Sequence, residues 1–276
     1  MIRKNFYTIP GAKGRGMLAD ITFDDALPHA PLVIFAHGFK GFKDWGTHNL
    51  VANYFVQNGF RYLKFNFSHN GTTTDNPIDF ADLIAFSDNT FSIELEDLNS
   101  VIDFACGGSY VPAVREVYLI GHSMGGGISI IKTAEDKRIK KLVTMASISS
   151  FYNLWPKQAE AQWRLQGIMY MPNKRTGQNM PLKATILDDL EKNPDRLNIL
   201  TKAADVKQPW LIVHGDDDTS VPLSHAQELH NAQPHSELIV IPGGDHTFGG
   251  AHPYPENTLP VMLLQFCDAA IAFLRK

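Results

Sequence analysis

The sequence predicts an α/β fold with a mostly parallel central sheet and helices on both faces. Three observations carry this. Short apolar runs alternate with helix-period segments from about residue 30 onward, the pattern of strands joined by helical crossovers. Runs such as 32–36, 117–120 and 238–241 are apolar at consecutive positions rather than alternating, as strands covered on both faces should be. The chain has 276 residues, 44% of them apolar and 20% charged, enough to bury one large core.

The elements follow in order. Residues 6–9 and 17–23 read as an antiparallel hairpin on one edge of the sheet. The buried strands are expected at 32–36, 60–67, 117–120, 139–146, 210–214 and 238–241. Residues 49–57 form a first helix. Phe91, Leu95, Leu98, Ile102 and Ala105 repeat at helical spacing, with Glu94, Glu96 and Asp97 between them. Two more helices are expected at 222–232 and 259–274. The alternation breaks once, from 147 to 208, where no strand is evident and large side chains abound. The turn Asn173-Lys174-Arg175-Thr176-Gly177 interrupts that segment. Long excursions in compact domains usually serve function, so a cap over a site is expected there. The domain reading is a core in two parts, 1–146 and 209–276, carrying a helical cap insertion at 147–208.

Composition excludes several partners. A net charge of -4 offers no basic surface for nucleic acid or an anionic membrane. No apolar stretch is long enough to span a bilayer, and the first residues lack the apolar core of a signal peptide. Cys106 and Cys267 imply no disulfide framework and fit a reduced, cytoplasmic setting. No metal is expected, since H-E-x-x-H and paired cysteines are both absent. The glycines after Ser123 lack the spacing of a phosphate or dinucleotide loop, so no cofactor is expected.

Ligands of open α/β sheets bind beyond the carboxyl ends of the strands. His37-Gly38-Phe39 follows the first buried run and Ser123 the third. Gly215-Asp216-Asp217-Asp218 and Pro242-Gly243-Gly244-Asp245-His246 follow the last two. A hydroxyl, a carboxylate and an imidazole thus emerge on one rim. A serine becomes a useful nucleophile when an imidazole takes its proton. A carboxylate holds that imidazole's tautomer, and backbone donors receive the oxyanion. Three aspartates compete for the acid, and His252 competes with His246 for the base. His37, His122 and His214 read as turn residues, and His225, His230 and His235 as residues on or beside a surface helix.

Gly121-His122-Ser123-Met124-Gly125 has the form of a nucleophile elbow, a strained strand-to-helix turn whose glycines relieve crowding. With serine, acid and base in that order, the chain resembles the α/β-hydrolase family over nearly its whole length. The resemblance implies that Ser123 is the nucleophile and His246 the general base. It implies Asp218 as the acid, because the family's His-Gly-x-x-Asp-x-x-Val-Pro matches residues 214–222. The backbone N–H groups of Phe39 and Met124 would form the oxyanion hole. Where many relatives read Phe-Asp-x-Arg-Gly-His-Gly, residues 65–71 read Phe-Asn-Phe-Ser-His-Asn-Gly, a departure that touches a loop and not the triad.

Serine at the elbow sets the chain apart from dehalogenases, with aspartate there, and dienelactone hydrolases, with cysteine. The leading expectation is hydrolysis of a small-molecule carboxylic ester through an acyl-enzyme, similar to small-ester, cinnamoyl and feruloyl esterases. The runner-up is a serine peptidase or amidase, since residues 37–45 also resemble serine aminopeptidases. A non-catalytic binding protein of the same fold is the third reading. Trp45, Phe151, Trp155, Trp163 and Tyr170 are candidates to line an aryl or acyl pocket. Lys157, Arg164, Lys174 and Arg175 leave an acidic substrate open. A neutral imidazole base also implies activity rising through about pH 6 to 7.

Overall fold

The computed structural model describes residues 1–108, 114, 116–173 and 175–276. The chain opens with β1 (Ile2–Pro10) and β2 (Gly16–Asp24), then β3 (Leu32–Ala36), α1 (His48–Gln57) and β4 (Arg61–Phe65). Next come α2 (Leu83–Ser87), α3 (Phe91–Cys106), β5 (Val117–His122), α4 (Met124–Glu135) and β6 (Ile139–Met145). A long excursion holds α5 (Glu160–Gln166), β7 (Ile168–Pro172), β8 (Asn179–Lys183), α6 (Thr185–Lys192) and α7 (Ile199–Asp205). The chain closes with β9 (Trp210–Gly215), α8 (Ser224–Ala232), β10 (Glu237–Ile241) and α9 (Val261–Arg275).

Eight strands form one sheet in the order β1-β2-β4-β3-β5-β6-β9-β10. β1 and β2 pair antiparallel as the expected edge hairpin, and β2 joins β4 antiparallel. All further pairs in the sheet, from β4 to β10, are parallel.

The apolar runs are continuous because each strand feeds two cores at once. Along β3, Leu32, Ile34 and Ala36 pack on one face with α3 and α4. Val33 and Phe35 pack on the other with α1 and α9. Along β5, Leu119 and Tyr118 divide in the same way. A period of two on a sheet covered on both sides gives this pattern.

One expectation is overturned. Segment 147–208 shows no strand in its sequence pattern, yet β7 and β8 form an antiparallel hairpin within it, with Ile168 opposite Lys183 and Pro172 opposite Asn179. Methionine and proline fill these short strands, and β-branched residues are nearly absent from them. Neither propensity nor alternation therefore marks them. The turn at Asn173–Gly177 is present, with Gly177 N–H donating to Asn173 O at 2.8 Å, while Lys174 lies outside the described residues.

Candidate active site

Ser123 sits where β5 becomes α4, with φ 56° and ψ -120°, a backbone state costly for any side chain bearing a Cβ. The turn closes only because its glycines lack a Cβ. One on Gly125 would stand 2.4 Å from the carbonyl oxygens of Ala36 and His37. One on Gly121 would stand 2.4 Å from Gly125 O and Ser129 Oγ. The serine N–H donates to Met145 O at 3.0 Å, which ties the turn to β6.

The imidazole of His246 reaches this hydroxyl, with Nε2 at 3.0 Å from Ser123 Oγ. Its Nδ1 lies 2.8 Å from Asp218 Oδ2. A carboxylate only accepts, so Nδ1 carries the hydrogen and Nε2 keeps a lone pair toward the serine. The other oxygen of Asp218, Oδ1, accepts from the N–H groups of Ser220 (2.9 Å) and Val221 (2.8 Å). Burial alone would raise the Asp218 pKa. Hydrogen bonds from His214, His246 and the Val221 N–H outweigh it and hold the carboxyl well below the usual carboxylate range. Asp216 and Asp217 are exposed, and Asp216 Oδ1 accepts from Gly243 N–H at 2.6 Å. His252 accepts from Gly46 N–H at 2.8 Å and stacks on Trp45. The structure thus brings His246 to Ser123, and Asp218 to His246.

Two histidines read as turn residues support these groups. His214 Nε2 donates to Val221 O at 2.7 Å and lies 3.4 Å from Asp218 Oδ2. His122 Nε2 donates to the His246 carbonyl at 2.9 Å. Burial, reinforced by the neighbouring His246, pushes the His122 pKa down to about 3, so it stays a neutral donor. The His122 contact joins residues 124 apart in the chain, which no sequence motif marks, whereas the His214 contacts fall within the 214–222 motif itself. His225 is buried rather than on the surface, its Nδ1 2.8 Å from Ser149 Oγ.

The His37-Gly38-Phe39 loop passes directly over the elbow. A Cβ on Gly38 would stand 3.0 Å from that of Ser123. Burial pushes His37 down to about 4, and its neutral ring accepts from Phe67 N–H at 3.4 Å. The loop continues into a buried ion network. Asp20 Oδ2 accepts from Lys43 at 2.6 Å and Lys64 at 2.8 Å, and Asp44 binds both lysines. Asn66, in the segment that departs from the family pattern, accepts from Lys43 N–H at 2.6 Å. That segment therefore braces the loop.

A pocket of about 140 Å³ opens beside Ser123 and His246, walled by Phe39, Lys40, Trp45, His48 and Thr247. Of the aromatic candidates, Trp45 lies on it. Phe151 and Trp163 are fully buried elsewhere, Phe151 stacked on Phe91 at 3.8 Å and Trp163 edge-on to Trp155 at 5.2 Å. They fix the excursion to α3. Tyr170 is exposed on β7. Lys40, His48 and Thr247 were not anticipated; no motif marks them. Met124 is buried at the start of α4 and Phe39 lines the pocket.

A strand-to-helix serine, a strand-end acid and a late histidine meeting on one sheet rim define a class of hydrolase. The chain belongs to the alpha/beta hydrolase family, whose pattern matches residues 33–258. It is 28% identical over 257 residues to a protein of Mycoplasma pneumoniae named "Putative esterase/lipase 2", covering 85% of this chain and 88% of that one. Among solved structures it is similar in fold to Est1E from Butyrivibrio proteoclasticus, with TM-score 0.70 and 19% identity, covering 98% of this chain and 97% of that one. It is also similar to a puromycin-hydrolyzing peptidase of Mycobacterium tuberculosis (TM-score 0.68, 17% identity), covering 99% of this chain and 39% of that one. No helix among the described residues is long and apolar enough to cross a membrane.

Proposed function

We propose that the protein is a serine hydrolase that cleaves carboxylic esters through an acyl-enzyme, with Ser123 as nucleophile, His246 as base and Asp218 as acid. The observation that carries this reading is the relay from Ser123 Oγ to His246 Nε2 at 3.0 Å and from His246 Nδ1 to Asp218 at 2.8 Å. Ser123 attacks the ester carbonyl as His246 takes its proton. The N–H groups of Phe39 and Met124 receive the oxyanion, and His246 returns the proton to the leaving alcohol. Water then releases the acid by the same steps. The excursion between β6 and β9 acts as a cap, and the setting is cytoplasmic. The pocket, about 140 Å³, is small beside the roughly 300–1,000 Å³ of drug-sized sites, which favours short acyl or single-ring substrates. Support for esters over amides comes from the named relative, an esterase/lipase by description.

Turnover of 4-nitrophenyl esters of graded acyl length tests this. Hydrolysis by the wild type, with loss of several orders of magnitude in Ser123→Ala, is expected. Cleavage of aminoacyl amides without any ester turnover would move the assignment to a peptidase. Burial holds the pocket's other histidines, His48 and His122, at about 3, so both are neutral at the pH of the assay.

A further inference from the structure

Lys40 stands out on the wall of the pocket that holds Ser123. Its backbone is left-handed, with φ 56°, a state glycine or asparagine takes with less strain. The side chain therefore supplies something glycine would not. The residue is half-buried, and its ammonium reaches Pro172 O on β7 at 3.4 Å in an exposed contact and lies 5.6 Å from the Phe39 ring centroid. No carboxylate among the described residues pairs with it. The nearby acids are committed elsewhere, Asp44 to Lys43 and Lys64, and Asp218 to His246.

A second cation approaches from the same hairpin. Arg175 lies over the Phe42 ring at 5.4 Å, and that ring packs edge-on against His252 at 5.0 Å. His252 in turn stacks on Trp45 of the pocket wall. Arg175 also has no carboxylate partner among the described residues. Next to Pro172, Asn173 holds a buried amide nitrogen with no hydrogen-bond partner. An unpaired ammonium on the pocket wall, with a second unpaired cation on the adjoining hairpin, favours an anionic ligand.

We propose that Lys40, with Arg175 behind it, is a specificity determinant that receives a carboxylate carried by the ester substrate bound at Ser123. The inference rests on the ester-hydrolase reading above. Burial pushes the Lys40 pKa down with nothing to offset it, and a substrate anion would supply the missing counter-charge. The substrate class is then an ester with a free acid, such as a dicarboxylate hemiester or an acylated hydroxy acid.

The test compares two matched pairs in the wild type, Lys40→Met and Lys40→Glu. Monomethyl glutarate against methyl pentanoate places the charge on the acyl side. 4-Acetoxybenzoate against phenyl acetate places it on the alcohol side. The ratio of kcat/KM for the anionic over the neutral ester should fall at least tenfold in Lys40→Met in one pair, and further in Lys40→Glu, chiefly through KM. An unchanged ratio in both pairs, or equal losses on both members, overturns the proposal while leaving the esterase reading intact. Calorimetric binding of the anionic esters to Ser123→Ala, with and without Lys40→Met, needs no turnover. Tight binding that requires Lys40 in a protein hydrolysing no ester would keep the anion site and refute the esterase. Binding indifferent to Lys40 would refute the site.

Discussion

Replacing Asp218 by asparagine preserves the shape of the triad acid and removes its charge. Oδ1 of Asp218 accepts two backbone N–H groups, while Oδ2 faces His246 at 2.8 Å and His214 at 3.4 Å. With its amide nitrogen turned toward the backbone, the asparagine would leave the buried Val221 N–H unpaired, at about 1–3 kcal/mol, and the part-buried Ser220 N–H as well. The nitrogen must therefore face His246. It then donates to Nδ1, so the ring hydrogen moves to Nε2, which can no longer accept the proton of Ser123. The imidazolium also loses its counter-charge. By analogy with serine protease triads, kcat should fall about 10⁴-fold, or about 5.4 kcal/mol.

Stability carries a second signature. The folded carboxyl lies below its usual range, so its stabilisation is present above the unfolded pKa of about 3.9 and is lost as pH falls further. Asp218→Asn should thus be less stable than wild type at pH 7, and the gap should narrow below about pH 4. The assay is steady-state ester hydrolysis at pH 7.5 with circular dichroism to verify folding. A folded Asp218→Asn protein within tenfold of wild-type kcat would refute the reasoning.

Two further predictions concern buried charge. Asp20→Ala leaves Lys43 and Lys64, both buried, with Asp44 alone. A loss on the order of 3–5 kcal/mol in urea unfolding is expected, and a loss under about 1 kcal/mol would contradict it. Glu94, fully buried with one oxygen unpartnered, has its pKa pushed up to about 8 by burial. Its folded form prefers the proton, so it costs nothing below the unfolded pKa of about 4.3 and an increasing amount from there to about pH 8. Glu94→Gln should remove this slope, gaining stability at pH 8 relative to pH 5. Denaturant midpoints with equal pH slopes for variant and wild type would count against it.

The parallel strands were legible because runs such as 32–36 and 117–120 are apolar at every position, which few other environments produce. The order of serine, acid and base was legible because each follows such a run. β7 and β8 were not, since their stability comes from packing of Met180 and Leu182 into the core rather than from local propensity. The pocket wall was the least readable part. Trp155 and Trp163 look like substrate contacts in sequence, yet they pack on each other, and Trp155 also stacks on Phe91. Lys40 and His48, polar and without a motif, face Ser123's pocket instead. Sequence indicates which side chains are large, and only the course of the chain decides what they enclose.

The central claim is that Ser123 is the acyl-accepting nucleophile. Treating the protein with a fluorophosphonate and mapping the adduct by peptide mass spectrometry tests it most directly. One adduct per chain on Ser123, parallel loss of ester hydrolysis and no labelling of Ser123→Ala is the expected result. Stoichiometric labelling of another residue with activity lost, or full hydrolysis by the Ser123→Ala protein, would contradict it.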